Sequence, residues 1–118
     1  MTLIIGGAGQ GKLAYVLRLT GLTLDQVSDD PRCHRPVVTN LAQWLRHTED
    51  PWTALDALLD ACPDVCLLCD EVGCGVVPID PLDRRWRERV GRTCCALAER
   101  ADRVVRLCCG IPTIIKGA

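Results

Sequence analysis

Gly6-Gly7-Ala8-Gly9-Gln10-Gly11-Lys12 is the stretch of this chain whose residue types and spacing suit chemistry best. Glycine tolerates left-handed backbone, so successive N–H groups can turn toward one point and form an anion nest. A helix beginning at Lys12 would aim the positive end of its dipole at the same point. The Lys12 side chain adds a mobile full charge. Gly6-x4-Gly11-Lys12 satisfies the phosphate-loop pattern G-x-x-x-x-G-K-[ST] up to its lysine. The last position departs from it: Leu13 stands where a Ser or Thr would coordinate Mg2+. Residues 6–13 are therefore expected to cradle the phosphates of a nucleotide. Either other groups and water hold Mg2+, or phosphate is bound without efficient transfer. The plainer alternative is a glycine-rich turn that binds nothing.

A second constellation follows the apolar run Val65-Cys66-Leu67-Leu68-Cys69, which leads into Asp70-Glu71. Open α/β sheets bind ligands beyond the carboxyl ends of their strands. If this strand lies beside the first, Asp70 reaches the Mg2+ shell, and Glu71 can polarise an attacking hydroxyl or fix its loop. The alternative is a polar pair ending a strand. Arg84, Arg85, Arg87, Arg89 and Arg92 crowd one later segment, with Arg85, Arg89 and Arg92 at helical spacing on one face. Guanidinium forks suit phosphates; a solvated surface paired with Glu88 and Glu99 is an equal reading. No aromatic platform accompanies these arginines, which argues against a nucleic-acid partner. His34 and His47, the two histidines of the chain, have no positioned partners in the sequence and read as solvated side chains.

The elements that must position these groups follow from periodicity. Residues 2–5 are a short apolar strand; Lys12 to about Leu19 is a helix with Leu13, Val16 and Leu17 on one side, stopped by Gly21. Residues 22–36, broken by Pro31 and Pro36, read as a loop. Val37–Thr39 is a short strand, and Asn40 caps a helix to about His47. Asp50-Pro51 starts another helix, to about Ala61, with Trp52, Leu55, Leu58 and Leu59 inward. Val65–Cys69 reads as a buried central strand, and residues 70–80 as a Gly/Pro-rich loop. Asp80-Pro81 opens the longest helix, 81–101, with Leu82, Trp86, Val90, Thr93, Leu97 and Ala101 on one face. Val104–Cys109 returns as a strand, and residues 111–116 add an edge. This alternation predicts an α/β fold: a P-loop NTPase-like, mostly parallel sheet covered by helices on both faces.

With 118 residues the chain supports a single domain, residues 1–118. Hydrophobic residues make up 48% of it, but aromatics only 3%, so the core must be aliphatic and sulfur-rich. The nine cysteines sit largely in apolar runs and read as packing. Cys66-x-x-Cys69 has zinc spacing but falls inside a strand rather than at a loop knuckle. A net charge of −1 argues against a general binder of nucleic acid or anionic membrane. The opening residues lack the basic and long apolar parts of a secretory signal, and no apolar run has the length of a membrane span. The expected setting is cytoplasmic, with reduced thiols and no membrane partner.

Three stretches together resemble one family. Ile5-Gly-Gly-Ala-Gly-Gln-Gly-Lys12 is similar to a Gly-Gly-x-x-x-Gly-Lys-Ser opening. Glu71-Val-Gly-Cys-Gly-Val-Val-Pro78 is similar to a distinctive Glu-Val-Gly-x-Gly-(Ile/Val)-Val-Pro. The third runs from Arg84 to Lys116, with the helix end Ala98–Asp102 and Gly110-Ile-Pro. The family is adenosylcobinamide kinase / adenosylcobinamide-phosphate guanylyltransferase, of cobalamin biosynthesis. The resemblance implies a P-loop α/β fold, oligomeric assembly, and a nucleoside triphosphate, GTP or ATP with Mg2+, that phosphorylates the aminopropanol hydroxyl of adenosylcobinamide. It implies phosphate-loop roles for Gly6, Gly7, Gly11 and Lys12, and second-motif roles for Glu71, Gly73 and Gly75, with Asp70 where members often carry Asn. The family's guanylylated histidine lies in an Arg-Ile-x-x-His segment, and neither His34 nor His47 has those neighbours. The expected function is a shortened kinase of this type with guanylyl transfer lost or weak. Lys12, Asp70 and Glu71 would be its catalytic residues, residues 6–13 its nucleotide loop and Asp70 its metal ligand. The competing reading is a nucleotide- or corrinoid-binding relative without turnover.

Overall fold

The computed structural model describes residues 1–72 and 80–117. The segment Gly73-Cys-Gly-Val-Val-Pro78, which carries much of the second motif, lies outside the described residues. The apolar runs form strands where alternation and β-branching ask for them: β1 (Thr2–Gly6), β2 (Val27–Ser28), β3 (Val37–Val38), β4 (Cys66–Asp70), β5 (Arg103–Cys108) and β6 (Ile111–Lys116). The helices between them are α1 (Lys12–Thr20), α2 (Leu41–Trp44), α3 (Trp52–Ala61) and α4 (Pro81–Arg100). They make a six-stranded sheet in the order β2-β3-β4-β1-β5-β6. All its pairings are parallel except β5 with β6.

Side chains alternate across each strand, so each face of the sheet builds its own core. Leu3, Val38, Leu67, Cys69 and Val104 pack on one face against Leu41, Leu55, Leu58, Val90 and Leu97 of α2, α3 and α4. Ile4, Val37, Cys66, Leu68, Val105 and Leu107 pack on the other against Val16 of α1. Burying one such leucine contributes about 2 kcal/mol. The expected fold, a mostly parallel α/β sheet with helices on both faces, is the observed one.

Helix ends follow their local chemistry. Asp80 accepts the Leu82 N–H at 2.9 Å, with Pro81 in the first turn of α4. Lys116 closes the other end of α4, donating to the carbonyls of Ala98 and Glu99 at 2.9 and 3.0 Å. Asp50 accepts the Trp52 N–H at 3.2 Å, although Pro51 rather than Asp50 holds the cap position of α3.

Several local expectations differ from the structure. Residues 22–36 contain a strand, β2, because Val27 and Ser28 find β3 alongside. The helix after Asn40 stops at Trp44, and Asn40 is left-handed (φ 56°) with no capping bond from its side chain. Leu82 is exposed, because the first turn of α4 precedes the stripe that meets the sheet. No helix among the described residues is long and apolar enough to cross a membrane.

Candidate functional site

β1 ends at Gly6, directly beside Asp70 of β4 and Leu107 of β5. A Cβ at Gly6 would stand 2.6 Å from the Leu107 carbonyl oxygen, so the close approach of these strands requires glycine. The chain then turns through residues 7–11, with the Gln10 N–H donating to the Gly7 carbonyl at 3.3 Å. Gly9 (φ 73°) and Gly11 (φ 89°) are left-handed. Gly11 caps α1 without any side-chain bond, so the first amides of the helix have no side-chain acceptor at the cap. The β5–β6 turn braces the loop from behind. Gly110 N–H donates to the Gln10 carbonyl at 3.0 Å, and Cys109 N–H donates to Gln10 Oε1.

Lys12 is drawn inward rather than out into water; only 9% of it is exposed. Its ammonium donates to the carbonyls of Gly6 and Gly7 at 3.1 and 2.9 Å and pairs with Asp70 Oδ1 at 2.6 Å. These contacts match the number of donors an ammonium has. The parallel register that sets Gly6 opposite Asp70 creates this pair. Above it opens a cleft of about 320 Å³, formed by residues 8–11, Lys12, Leu13 and Ala14, with Asp70 and the β3 terminus residues Thr39 and Asn40. Ala8, Gly9, Gln10, Gly11, Lys12, Leu13 and Asp70 thus share one cavity, while Gly6 and Gly7 supply carbonyls beneath it. Sequence reasoning missed Thr39 and Asn40; the available signal was their place just past the carboxyl end of a parallel strand.

The donor set bears on metal binding. Leu13 contributes no ligand and packs partly against the α1-side core. Among the described residues no group of three or more His, Cys, Asp or Glu side chains could hold a metal ion. The cleft does offer the Asp70 carboxylate and the Thr39 hydroxyl. Mg2+ typically needs few protein oxygens, taking the rest of its shell from water and substrate phosphates. The residues present therefore fit Mg2+ bound together with phosphate, and do not form a closed cage for the ion alone.

Glu71 is placed differently. Its N–H continues the ladder to the Gly6 carbonyl at 2.9 Å, but its carboxylate takes a two-pronged bond from Arg106 at 2.7 and 3.1 Å. It lies on the α4 side of the sheet and does not line the cleft. The arginine-rich face of α4 does not reach the cleft either. Arg89 donates to the Leu45 carbonyl at 2.7 Å, and with Arg92 lines a separate hollow beside Trp52. His34 is exposed in a left-handed turn, and His47 borders another hollow with Arg32 and Trp44.

Comparison with known proteins gives this geometry a family. A model of the cobinamide kinase / cobinamide phosphate guanyltransferase family matches residues 32–115, from before β3 through most of β6. The chain belongs to this family. It is 34% identical over 116 residues to the bifunctional adenosylcobalamin biosynthesis protein CobU of Salmonella typhimurium, covering 82% of this chain and 64% of that protein. It is also 40% identical over 53 residues to the bifunctional adenosylcobalamin biosynthesis protein CobP of Pseudomonas aeruginosa, covering 45% of this chain and 31% of that one. The chain thus spans less than two thirds of the length of either relative. The phosphate loop precedes the segment that the family model matches, so its reading rests on its own geometry.

Proposed function

We propose that this family member is a cytoplasmic enzyme of cobalamin biosynthesis that binds GTP or ATP in the cleft beyond β1 and phosphorylates adenosylcobinamide. The observation that carries the reading is the inward Lys12 ammonium beneath a left-handed glycine loop at the start of a helix, facing an acidic strand end. Loop amides and the α1 terminus would hold the phosphates. Lys12 would stabilise charge on the transferring group, exchanging Asp70 for phosphate oxygens as nucleotide enters. Asp70, so released, would hold Mg2+ through its carboxylate; the ion would neutralise phosphate charge. The acceptor hydroxyl would form a bond to the terminal phosphorus as the bond to the bridging oxygen breaks, and a nucleoside diphosphate would leave. Glu71, held by Arg106 outside the cleft, would fix the strand end, and the hydroxyl proton would leave to solvent.

Guanylyl transfer is not part of the proposal, because neither His34 nor His47 lies in the cleft. A second reading, nucleotide binding without turnover, is favoured by Leu13, which replaces a metal-binding hydroxyl with a methyl-bearing side chain. Calorimetry with GTP and with ATP, with and without Mg2+, separates the readings when paired with mass analysis of adenosylcobinamide after incubation. Mg2+-dependent binding and a phosphorylated product are expected. Equal binding with and without Mg2+, and no product, would leave only the binding module. No binding at all would end both.

A further inference from the structure

Cys69 and Cys94 come together behind the acidic strand end. Cys69 is the residue before Asp70, and strand alternation turns it toward α4 while Asp70 turns toward α1. Cys94 lies on the inward stripe of α4, four residues after Val90 and three before Leu97. The two sulfurs are 3.5 Å apart in an S–H···S contact. Cys69 is fully buried and Cys94 partly exposed.

The environment divides their roles. The hydrogen bond shared with Cys69 holds the Cys94 thiol below the usual thiol range, against the opposing effects of burial and of Glu71 nearby. Cys94, partly exposed, is thus the thiol that a solvent-borne oxidant reaches, and the buried Cys69 lies behind it.

We propose that Cys69 and Cys94 form an oxidisable dithiol site, which a peroxide converts to an intrachain disulfide fastening α4 to β4 immediately behind Asp70. The Cys94 sulfur gives up its proton and attacks one peroxide oxygen, the O–O bond breaks, and the departing hydroxide takes up that proton and leaves as water, giving a sulfenic acid. Cys69 sulfur then attacks the Cys94 sulfur, and the hydroxyl departs as a second water with the Cys69 proton. Two thiols and one peroxide become one disulfide and two waters. The sulfurs must close from 3.5 Å to about 2.05 Å. The ring so closed runs from Cys69 to Cys94 and contains both Asp70 and Glu71.

The proposal does not depend on the nucleotide reading, and its test needs no nucleotide. The intact chain is treated with hydrogen peroxide, remaining thiols are alkylated, and the peptides are mapped without reduction. The expected product is a Cys69–Cys94 cross-linked peptide, with a mass loss of about 2 Da and a melting temperature raised by roughly 5 °C. Cys94→Ser, at a partly exposed position, should abolish both changes, and Cys69→Ser is the second variant. Cross-links that instead join Cys69 or Cys94 to Cys74 or Cys95, over-oxidation of Cys94 without a cross-link, or a Cys69 that stays free would overturn the proposal.

Discussion

Asp70 and Glu71 are neighbours in the chain, yet they belong to opposite faces of the sheet and to different kinds of ion pair. Asp70 meets Lys12 on the α1 face, with side chains 29% and 10% exposed, and the ammonium is tied to two backbone carbonyls as well. Glu71 meets Arg106 on the α4 face, where the arginine side chain is 52% exposed. The period of two along a strand accounts for the division. Removing one partner of a shielded pair leaves an uncompensated charge, whereas an exposed pair exchanges readily with water. The first pair is a charge stored in a cleft, and the second a brace across the ends of two interior strands.

The comparison breaks most directly at Lys12. Lys12→Ala removes the one ammonium in the cleft and should lower GTP or ATP affinity about 100-fold, from the loss of charge-assisted bonds worth about 3 kcal/mol. Calorimetry against the unaltered chain measures this. A loss no larger than that caused by Arg106→Ala would mean that the two pairs do not differ in function.

Gly6 lies between the two regions, since its carbonyl accepts from both Lys12 Nζ and Glu71 N–H. Gly6→Ala places a methyl 2.6 Å from a backbone oxygen of β5, which cannot swing aside as a side chain can. The expected cost is about 2 kcal/mol in urea unfolding. Unchanged stability would show that β1 and β5 do not approach so closely.

Much of this site was legible from residue types. The glycine loop, the strand before it and the helix after it are local patterns, and so are the apolar run ending in Asp70 and the Asp80-Pro81 helix start. The adjacency of β1 and β4 is a matter of topology and entered the sequence reading only as a condition; the strand-end rule said where a ligand would lie, not which strands would be neighbours. What could not be read was set by distant partners. Val27-Ser28 is too short to announce a strand and becomes one only beside Val37-Val38. Thr39 and Asn40 reach the cleft only because β3 adds to β4. Glu71 carried the same sequence signal as Asp70, and only the end of the ladder decided that it would face Arg106.

Leu13 sharpens the Lys12 side of the comparison. It borders the cleft and packs partly against the α1-side core. Leu13→Ser should give up about 1 kcal/mol of stability through lost packing. It also restores the hydroxyl that the phosphate-loop pattern assigns to Mg2+. The expected gain is an Mg2+ enhancement of nucleotide affinity about tenfold larger than in the unaltered chain, or about 1.4 kcal/mol. Identical Mg2+ dependence in both proteins would mean that this position does not face the metal.

The smallest effect is expected at Arg106. Its bond to Glu71 is two-pronged, which favours good geometry, but more than half of the arginine side chain is open to solvent. Screening and side-chain entropy hold such pairs to about 0.5 kcal/mol, so Arg106→Ala should shift urea unfolding by little and leave nucleotide affinity within about twofold. Raising salt should erase most of the stability difference, because exposed pairs weaken as the Debye length shrinks. If the loss instead reached the scale expected at Lys12 and persisted in high salt, the Arg106–Glu71 pair would be a buried-type interaction. Glu71 would then be held as firmly as Asp70, and the division of the strand end into a stored charge and a surface brace would fail.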